Sequence, residues 1–493
     1  MAATTSLRPI QNDQFDWFAA RHLLLRTGYG GSHQQITDLH KLGLSSAVDM
    51  MVNFNSSTAI PEPEIDPDII RPYTSEERLA YKTARKEKDN DTLDALNKER
   101  NRRRRVDRQY HGVLQNWWLQ RMIESSVPLE ERLTLLWHSH FAARHRNVRD
   151  AYLMYQQNQF FRANAAGSFA TLAEGIVRDP AMLKFLNNNQ NNKRRPNENL
   201  ARELMELFTL GEGNYTEQDI KEGARALTGY TYRDNDFVMF ERNHDDGQKK
   251  ILGTQGNLNA DDFVEILLKN KACARYVAFK LYRHFVADIT DQDEHWEPSQ
   301  EKFIDSLASL LAKNQYHLAP VLEALFKSEH FYDKAIVNLK IKSPIQLIAN
   351  TTRSIGTPTR SKANIRRGLE MMGQQLFDPP GVAGWETGRA WINTSTLLAR
   401  HNITTYQLTG KMPGKKWKKG DVKFDPMSLI SGIDQANHQA VVDHLCSTLL
   451  GQTSTDRRQP LVKYLADRDK GITTDSLIGL LLLITTMPEY QLC

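Results

Sequence analysis

The sequence has few cysteines and no long apolar segment. Only Cys273, Cys446 and Cys493 occur among 493 residues, and no two of them form a CxxC pair. This excludes a zinc ribbon and a CxxC redox motif, and the wide spacing gives no disulfide framework, which fits a reducing compartment. The longest apolar run, residues 477–484, is too short to cross a bilayer. No apolar segment follows a basic region at the start, so we expect a soluble, cytoplasmic protein without a signal peptide.

Glycine, proline and an excess of charge of one sign are also limited. The 27 glycines and 18 prolines are too few for a fibrous or low-complexity chain. Lys and Arg number 64 against 59 Asp and Glu, and the net charge of +5 is too slight to indicate nucleic-acid binding by itself. With 40% apolar and 25% charged residues, the composition is that of a globular protein. The length allows about three domains, or one large domain with additions.

Helical periodicity dominates the chain, so the predicted fold is mainly α, a large multi-helix body that resembles a bundle. At 231–253 the period changes to alternation with turns, which predicts a small β-hairpin element. The predicted regions are N-terminal helices at 1–60, a Pro-rich loop and charged basic insertion at 61–109, a core with the main motifs at 110–402, and a basic loop with C-terminal helices that pack on the core at 403–493.

Local signals place several helices. Residues 196–209 are the most helix-like segment, and Pro128 suits the first turn of another helix. Thr216 and Asp219 stand at the spacing of a capping box. Residues 76–108 are highly charged and lack a wide apolar stripe, which predicts an exposed helix or a mobile arm.

The helix-like segment carries the first group of candidate functional residues. Glu198, Arg202 and Glu206 are spaced four apart and therefore share one helix face. They form either a structural ion network or a site in which a carboxylate acts as acid, base or metal ligand beside a polar loop at 187–197. The predicted catalytic residues are Glu203, Glu206, His138 and Arg202. The predicted substrate-binding residues are Asn197, Glu198, Trp385 and Lys249.

Three histidines are candidate metal ligands. His138 and His140 stand two apart, which on a helix separates them by about 200°, so they should not chelate one metal together. His140 shares a face with apolar residues and is either a core histidine or a metal ligand. One of the two histidines could join Glu206, Glu203 or His244 in a metal site. His244 begins the motif HDDG, which predicts either a hairpin turn or a loop that presents oxygen and imidazole ligands to iron, manganese or zinc. The predicted ligands of a divalent metal ion are His138, His140, His244 and Glu206.

Two further features suggest contacts with ligands or partners. The rigid motif DPPGVAGW at 378–385 places Trp385 either in the core or against the flat face of a sugar or similar substrate. The basic segments 102–105 and 415–419 are either solvated faces or contacts for an acidic polymer or membrane surface.

Several motifs, in order along the chain, resemble those of the domain of unknown function 1800 (DUF1800) family. They include AARHLLLRTGYG at 19–30, ERLTLLWHSHF at 131–141, PNENLARELMELFTLG at 196–211, KLYRHFV at 280–286 and MGQQLFDPPGVAGW at 372–385. Ser139 departs from the asparagine more frequent in the family. The resemblance implies a mainly helical, mostly bacterial and often exported protein. It also implies a possible partner from a neighbouring uncharacterised family of alkaline-phosphatase type.

Two functional hypotheses follow from these residues. The first is an enzyme whose polar His/Glu cleft, with or without a metal ion, is built from segments 138–140, 197–206 and 244–250. The second is a non-catalytic binding or assembly module that docks a partner protein or an acidic polymer.

Overall fold

The computed structural model describes residues 3–54, 60–71, 74–289, 296–411, 422–468 and 471–493. Within these residues the chain is mainly helical, which confirms the predicted fold class. The helices up to residue 185 are α1 (Trp17–Gly28), α2 (His33–Val52), α3 (Ser75–Glu87), α4 (Asn90–Glu124), α5 (Pro128–His140), α6 (His145–Val148), α7 (Ala151–Ala163), α8 (Phe169–Ile176) and α9 (Pro180–Phe185).

The middle of the chain is also mostly helical. Its helices are α10 (Asn199–Glu203), a π-helix (Leu204–Thr209) that directly continues α10, α11 (Glu217–Ala226), α12 (Ala260–Lys269), α13 (Lys271–Phe285), α14 (Pro298–Lys313) and α15 (Leu318–Lys327). The later helices are α16 (Pro344–Ile355), α17 (Lys362–Met371), α18 (Thr394–Thr409), α19 (His438–Leu449), α20 (Thr455–Ala466) and α21 (Thr474–Thr486). None of the described helices is long and apolar enough to cross a membrane.

The β structure is small, as predicted. In the described part of the chain, β1 (Tyr230–Arg233) pairs antiparallel with β2 (Asp236–Met239), and β3 (Lys249–Ile251) pairs with β4 (Thr254–Gly256). The hairpin turn expected at Asp246 and Gly247 lies before β3 and joins no paired strands. Asp245 accepts a hydrogen bond from the Gly247 backbone N–H at 2.9 Å and forms an ion pair with Arg225 of α11. This turn is therefore part of a loop that is bound to α11.

Helix ends follow the local signals. The Thr216 side chain accepts from the Asp219 backbone while Asp219 accepts from the Thr216 backbone N–H, which is the predicted capping box. Pro128 occupies the first turn of α5, where its missing N–H costs no hydrogen bond. The segment 76–108 is ordered as α3 and the first half of α4.

The core is built around α5, which packs against α1, α4 and α7. Every residue of α5 except Ser139 is buried. Among them, Glu131 lies at 0% exposure and holds three side chains together. Its carboxylate accepts hydrogen bonds from Trp118 at 2.9 Å, from Arg121 at 2.6 Å, and from two nitrogens of Arg162 at 3.0 Å each.

Two pairs of distant segments are joined by backbone hydrogen bonds near residues 327–342. The Ile10 N–H donates to the Lys327 carbonyl at 3.0 Å. The Lys342 N–H donates to the Gln491 carbonyl at 2.9 Å, and the Cys493 N–H donates to the Lys340 carbonyl at 2.8 Å. Segments from both halves of the chain are thereby fixed beside α13 and α16.

Candidate functional site

A cleft lies where the C-terminal end of α5 meets α13 and the loop 383–387. Its larger lobe has a volume of about 280 Å³ and is bounded by His140, Leu207 and Gly384. An adjoining lobe of about 60 Å³ reaches the segment before α16. The two lobes share the residues Ser139, Arg283, His284, Trp385, Glu386 and Thr387. We call the two lobes together the cationic cleft.

Positive charge dominates the walls of this cleft. The cationic side chains that line it are Arg132, Lys280, Arg283 and Lys340. Glu386, which is exposed, carries the one carboxylate among the described lining residues. Lys340 is paired with Asp288 and also donates to the Arg283 carbonyl at 2.8 Å. The lining therefore favours an anion.

Several buried polar atoms of the cleft lack a hydrogen-bond partner in the described protein. They are His140 Nδ1, His284 Nε2, Arg132 Nε and Trp385 Nε1. An unpaired buried polar atom costs free energy, so such atoms are rare and call for an explanation. Arg132 is 2% exposed, and its guanidinium lies over the rings of Tyr29 at 5.2 Å and Phe285 at 5.8 Å. A polar ligand in the cleft would supply the hydrogen bonds that these four buried atoms lack.

His140 is held in one neutral form. Its Nε2 lies 2.9 Å from the Phe208 carbonyl, so this nitrogen must carry the proton and Nδ1 keeps its lone pair. Burial, together with the nearby Lys280 ammonium, lowers the pKa of His140 to about 3. At neutral pH the residue therefore offers a hydrogen-bond acceptor at Nδ1.

His138 lies on a different side of α5, as the helical spacing predicts. It is fully buried among four aromatic rings, and burial lowers its pKa to about 3. The rings belong to Trp118, Phe377, Trp385 and Phe161, with centroids 5.3, 5.4, 5.6 and 6.3 Å from the imidazole. Trp385 is thus the wall between His138 and the cationic cleft.

The segment 196–209 is not one regular α-helix, which corrects the sequence prediction. After α10 the Leu210 N–H donates to the Met205 carbonyl at 2.8 Å, five residues back, and the Thr209 hydroxyl donates to the Leu204 carbonyl at 2.6 Å. This wider π-helical turn brings Leu207 to the cleft and leaves the Phe208 carbonyl for His140. Such turns are frequent at functional sites.

Glu203 is the last residue of α10 and Glu206 lies in the π-helix, but neither is among the lining residues of the cleft. Glu206 accepts a hydrogen bond from the Tyr215 hydroxyl at 2.6 Å. Glu203 is half-buried, and burial with the neighbouring Glu206 charge raises its pKa to about 7. Glu203, one of the predicted catalytic residues, therefore has a pKa that suits acid–base chemistry at neutral pH.

The raised pKa of Glu203 should be visible as a pH dependence of stability. Because its pKa is about 7 in the folded chain and about 4.3 in an unfolded one, the folded state binds more protons between these values. The free energy of unfolding should therefore fall as pH rises through this window. We expect Glu203→Gln to raise the free energy of unfolding at pH 8 and to leave it unchanged at pH 4. Urea titrations at both pH values, with the exposed Glu174→Gln as control, would measure this; a Glu203→Gln effect of equal size at both would contradict it.

Arg202 takes part in an ion cluster on the surface. It donates to both carboxylate oxygens of Glu217 at 2.8 Å and to Glu198 at 3.4 Å. Asn197 lies in the preceding loop, where its backbone N–H donates to the Asn191 side chain at 2.9 Å. These contacts are local and favour the structural interpretation of Arg202, Glu198 and Asn197.

In the HDDG loop the His244 side chain is buried, while Asp246 and Gly247 are exposed. His244 is 4% exposed, and its Nδ1 donates to the Thr228 carbonyl at 2.8 Å. Lys249 is 1% exposed and donates to the Gly247 carbonyl at 3.2 Å and to Asn257 at 3.3 Å. Neither residue lines the cationic cleft.

The four predicted metal ligands occupy separate places. His140 lines the cleft, and His138 lies among aromatic rings. His244 lies in the loop before β3, and Glu206 accepts a hydrogen bond from the Tyr215 hydroxyl. Across the described ranges, no three His, Cys, Asp or Glu side chains meet in an arrangement that could hold a metal ion. The divalent metal therefore stays a prediction. The basic segment 415–419 lies outside the described residues.

Trp385 is the predicted substrate-binding residue that lines the cleft. It is 5% exposed, and its backbone N–H donates to the Ser139 hydroxyl at 3.2 Å. Gly384 makes this close approach possible, because it has φ +82° and an added Cβ would stand 2.1 Å from the Ser139 carbonyl oxygen. The loop 383–387 is thus locked onto the end of α5.

Sequence reasoning missed the cations of the cleft. Lys280, Arg283 and His284 stand at i, i+3 and i+4 in KLYRHFV, which places them on one face of α13. That spacing was a usable signal. Arg132 gave no such sequence signal, since a single arginine within a helix does not by itself indicate a ligand site.

These features define a class of protein, a mainly helical chain with a cation-lined cleft closed by a Gly-Trp loop. The family model described as "Protein of unknown function (DUF1800)" matches residues 22–492. The chain therefore belongs to the DUF1800 family, which confirms the resemblance seen in its motifs. No curated protein and no solved structure matches it.

Proposed function

We propose that this protein binds a small anionic ligand in the cationic cleft. The observation that carries the proposal is the set of buried, unpartnered polar atoms in a lining with four cationic side chains and one exposed carboxylate. A carboxylate or phosphate group would neutralise part of this charge and accept hydrogen bonds from the guanidinium groups. His140 Nδ1 requires a donor, so the ligand also carries a hydroxyl or N–H group near its anionic group.

The geometry supports recognition of a polar rather than an apolar ligand. Trp385 and Trp391 line the cleft but are only 5% and 6% exposed, so little aromatic surface is available for stacking. Arg283 and Glu386 border both lobes and supply charged contacts there, whereas Gln346 and Gln374, at 4% and 3% exposure, are as buried as the two tryptophans. Selectivity would then come from hydrogen-bond geometry, which rejects ligands that leave buried groups unpaired.

Replacing Arg283 should weaken anion binding. Ligands that bind the folded state raise the unfolding temperature by an amount that grows with the ratio of ligand concentration to Kd. Inorganic phosphate and citrate are therefore suitable probes, with glycerol as the uncharged comparison. We expect Arg283→Gln to weaken the apparent affinity for the anions at least about tenfold. Differential scanning fluorimetry over a concentration series would measure it.

Arg275→Gln provides the matched control, because Arg275 lies on the same helix but is exposed and paired with Asp305. This variant should respond to phosphate and citrate like the unmodified protein. If both variants lose the response equally, or if no anion stabilises the unmodified protein, specific binding in the cleft is contradicted.

A catalytic function at the same cleft is a second candidate, favoured by Glu203. This carboxyl, with a pKa of about 7, lies four residues before Leu207, which lines the cleft. Its pKa suits a general acid or base at neutral pH, and Glu203 itself lies outside the lining of the cleft. Hydrolysis of a panel of phosphate and carboxylate esters that is lost in Glu203→Gln, with phosphate affinity unchanged, would support catalysis; equal turnover by both proteins would contradict it.

A further inference from the structure

Helix α3 and the first half of α4, residues 75–108, pack against each other and form a helical hairpin. Ala84 is the one buried residue of α3, and Asp107 is the first buried residue of α4. Leu79 is 66% exposed. The helical hairpin thus adds little apolar surface to the core, so core packing alone does not explain why the chain contains it.

Ion pairs hold the two helices of the hairpin together. Arg103 bonds Glu77 of α3 at 2.7 Å and Glu99 of α4 at 3.0 Å. Arg102 also bonds Glu99, at 2.8 Å. Exposed pairs of this kind are screened by salt and contribute modestly to stability.

The helical hairpin concentrates the positive charge of the chain. Residues 75–108 contain twelve Lys or Arg and eight Asp or Glu, a net charge of +4 against +5 for all 493 residues. Two of the eight carboxylates, Glu77 and Glu99, are engaged by Arg103, and Asp107 is buried with His145. Because Arg102 and Arg103 pair with Glu99 and Glu77, these four charges cancel, and the exposed surface keeps the net positive charge that the composition gives.

One face of α4 carries these charges in a row. Lys98, Arg102, Arg105 and Arg108 are all exposed and stand at i, i+4, i+7 and i+10. At 1.5 Å per residue this cation stripe is about 15 Å long, with a charge at nearly every 5.4 Å turn. No aromatic residue occurs between Lys98 and Arg108.

We propose that the cation stripe binds an extended acidic polysaccharide. A polymer with an anionic group on each sugar presents charges in a line, and a row of cations on one helix face complements it. Proteins that bind single-stranded nucleic acids combine cations with aromatic side chains that stack on bases. The stripe lacks such side chains, so its chemistry favours a polyanion that is recognised through charge alone.

The test compares two variants with the same change in net charge. In the first, Lys98, Arg102, Arg105 and Arg108 are all replaced by Gln. In the second, the exposed cations of α3 are replaced by Gln, namely Arg78, Lys82, Arg85 and Lys86. Circular dichroism establishes that both retain their helices, and calorimetry with a heparin dodecasaccharide at 50 mM salt measures binding, with dextran as the neutral comparison.

We expect the stripe variant to lose at least about tenfold in heparin affinity and the α3 variant to lose less than about threefold. The affinity of the unmodified protein should also fall with salt, with a smaller slope in the stripe variant. Equal losses in both variants, no binding to heparin, or tighter binding to a single-stranded oligonucleotide of equal charge would each overturn the proposal. Phosphate binding in the cationic cleft should be unchanged in both variants, which separates this proposal from the preceding one.

Discussion

Replacing Glu131 by alanine is expected to lower the free energy of unfolding by about 3–5 kcal/mol. The carboxylate is completely buried and accepts four hydrogen bonds from Trp118, Arg121 and Arg162. Its removal leaves the guanidinium of Arg162, which is 6% exposed, without its counter-charge. A buried charge that loses its partner cannot regain hydration without opening the structure, which explains the size of the effect.

Urea-induced unfolding followed by circular dichroism would measure this loss, provided that the transition is cooperative. Glu174→Gln is the control, since Glu174 is exposed on α8 and surface changes of this kind stay within about 0.5 kcal/mol. If Glu131→Ala costs no more than the control, the carboxylate does not bind this network as described.

Gly384→Ala is the second change with a large expected effect, about 2–4 kcal/mol of stability together with loss of anion binding. A Cβ at this position would stand 2.1 Å from the Ser139 carbonyl oxygen, which is backbone and cannot move aside. The residue also has φ +82°, a conformation that costs an L-residue about 1–2 kcal/mol. The loop would have to leave the end of α5, taking Trp385 and Glu386 away from the cleft.

Gly213→Ala separates the two contributions. Gly213 has φ +84°, nearly the same backbone conformation, but an added Cβ would meet nothing within 4 Å. It should therefore cost only about 1–2 kcal/mol and leave phosphate and citrate binding intact. Thermal unfolding with and without these anions would distinguish the two; equal effects of both substitutions would show that the contact with Ser139 is not required.

The helical architecture could be predicted because the signals are local. Pro128 and the Thr216–Asp219 pair act through neighbours in sequence, and both occupy the predicted positions. The π-helix could not be predicted, since the segment ELMELF has ordinary helical spacing and the extra residue per turn is stabilised by tertiary contacts such as the bond from His140 to the Phe208 carbonyl. Of the two alternatives predicted for HDDG, the structure has a loop rather than a hairpin turn, because Arg225 of α11 binds the adjacent Asp245.

The candidate site was predictable only in part. His140 and Trp385 were named from their motifs, and both line the cationic cleft. The other predicted residues lie elsewhere, because sequence proximity groups charges that the fold points outward, as it does for Arg202 and Glu217. The cleft joins α5, α13 and the loop 383–387, which lie roughly a hundred residues apart along the chain. No local sequence pattern indicates that such distant segments meet.

The backbone bonds around Lys340 have a consequence for the time at which the site is completed during synthesis. Lys340 lines the smaller lobe of the cleft, and its backbone is bonded to Cys493, a residue made 153 positions later. At about 5–20 residues per second, a ribosome needs roughly 8–30 s to cover that interval. Throughout that period Lys340 can pair with Asp288 but lacks its backbone bonds to Cys493, so this wall of the cationic cleft gains its full set of contacts only after residues 491–493 emerge and dock.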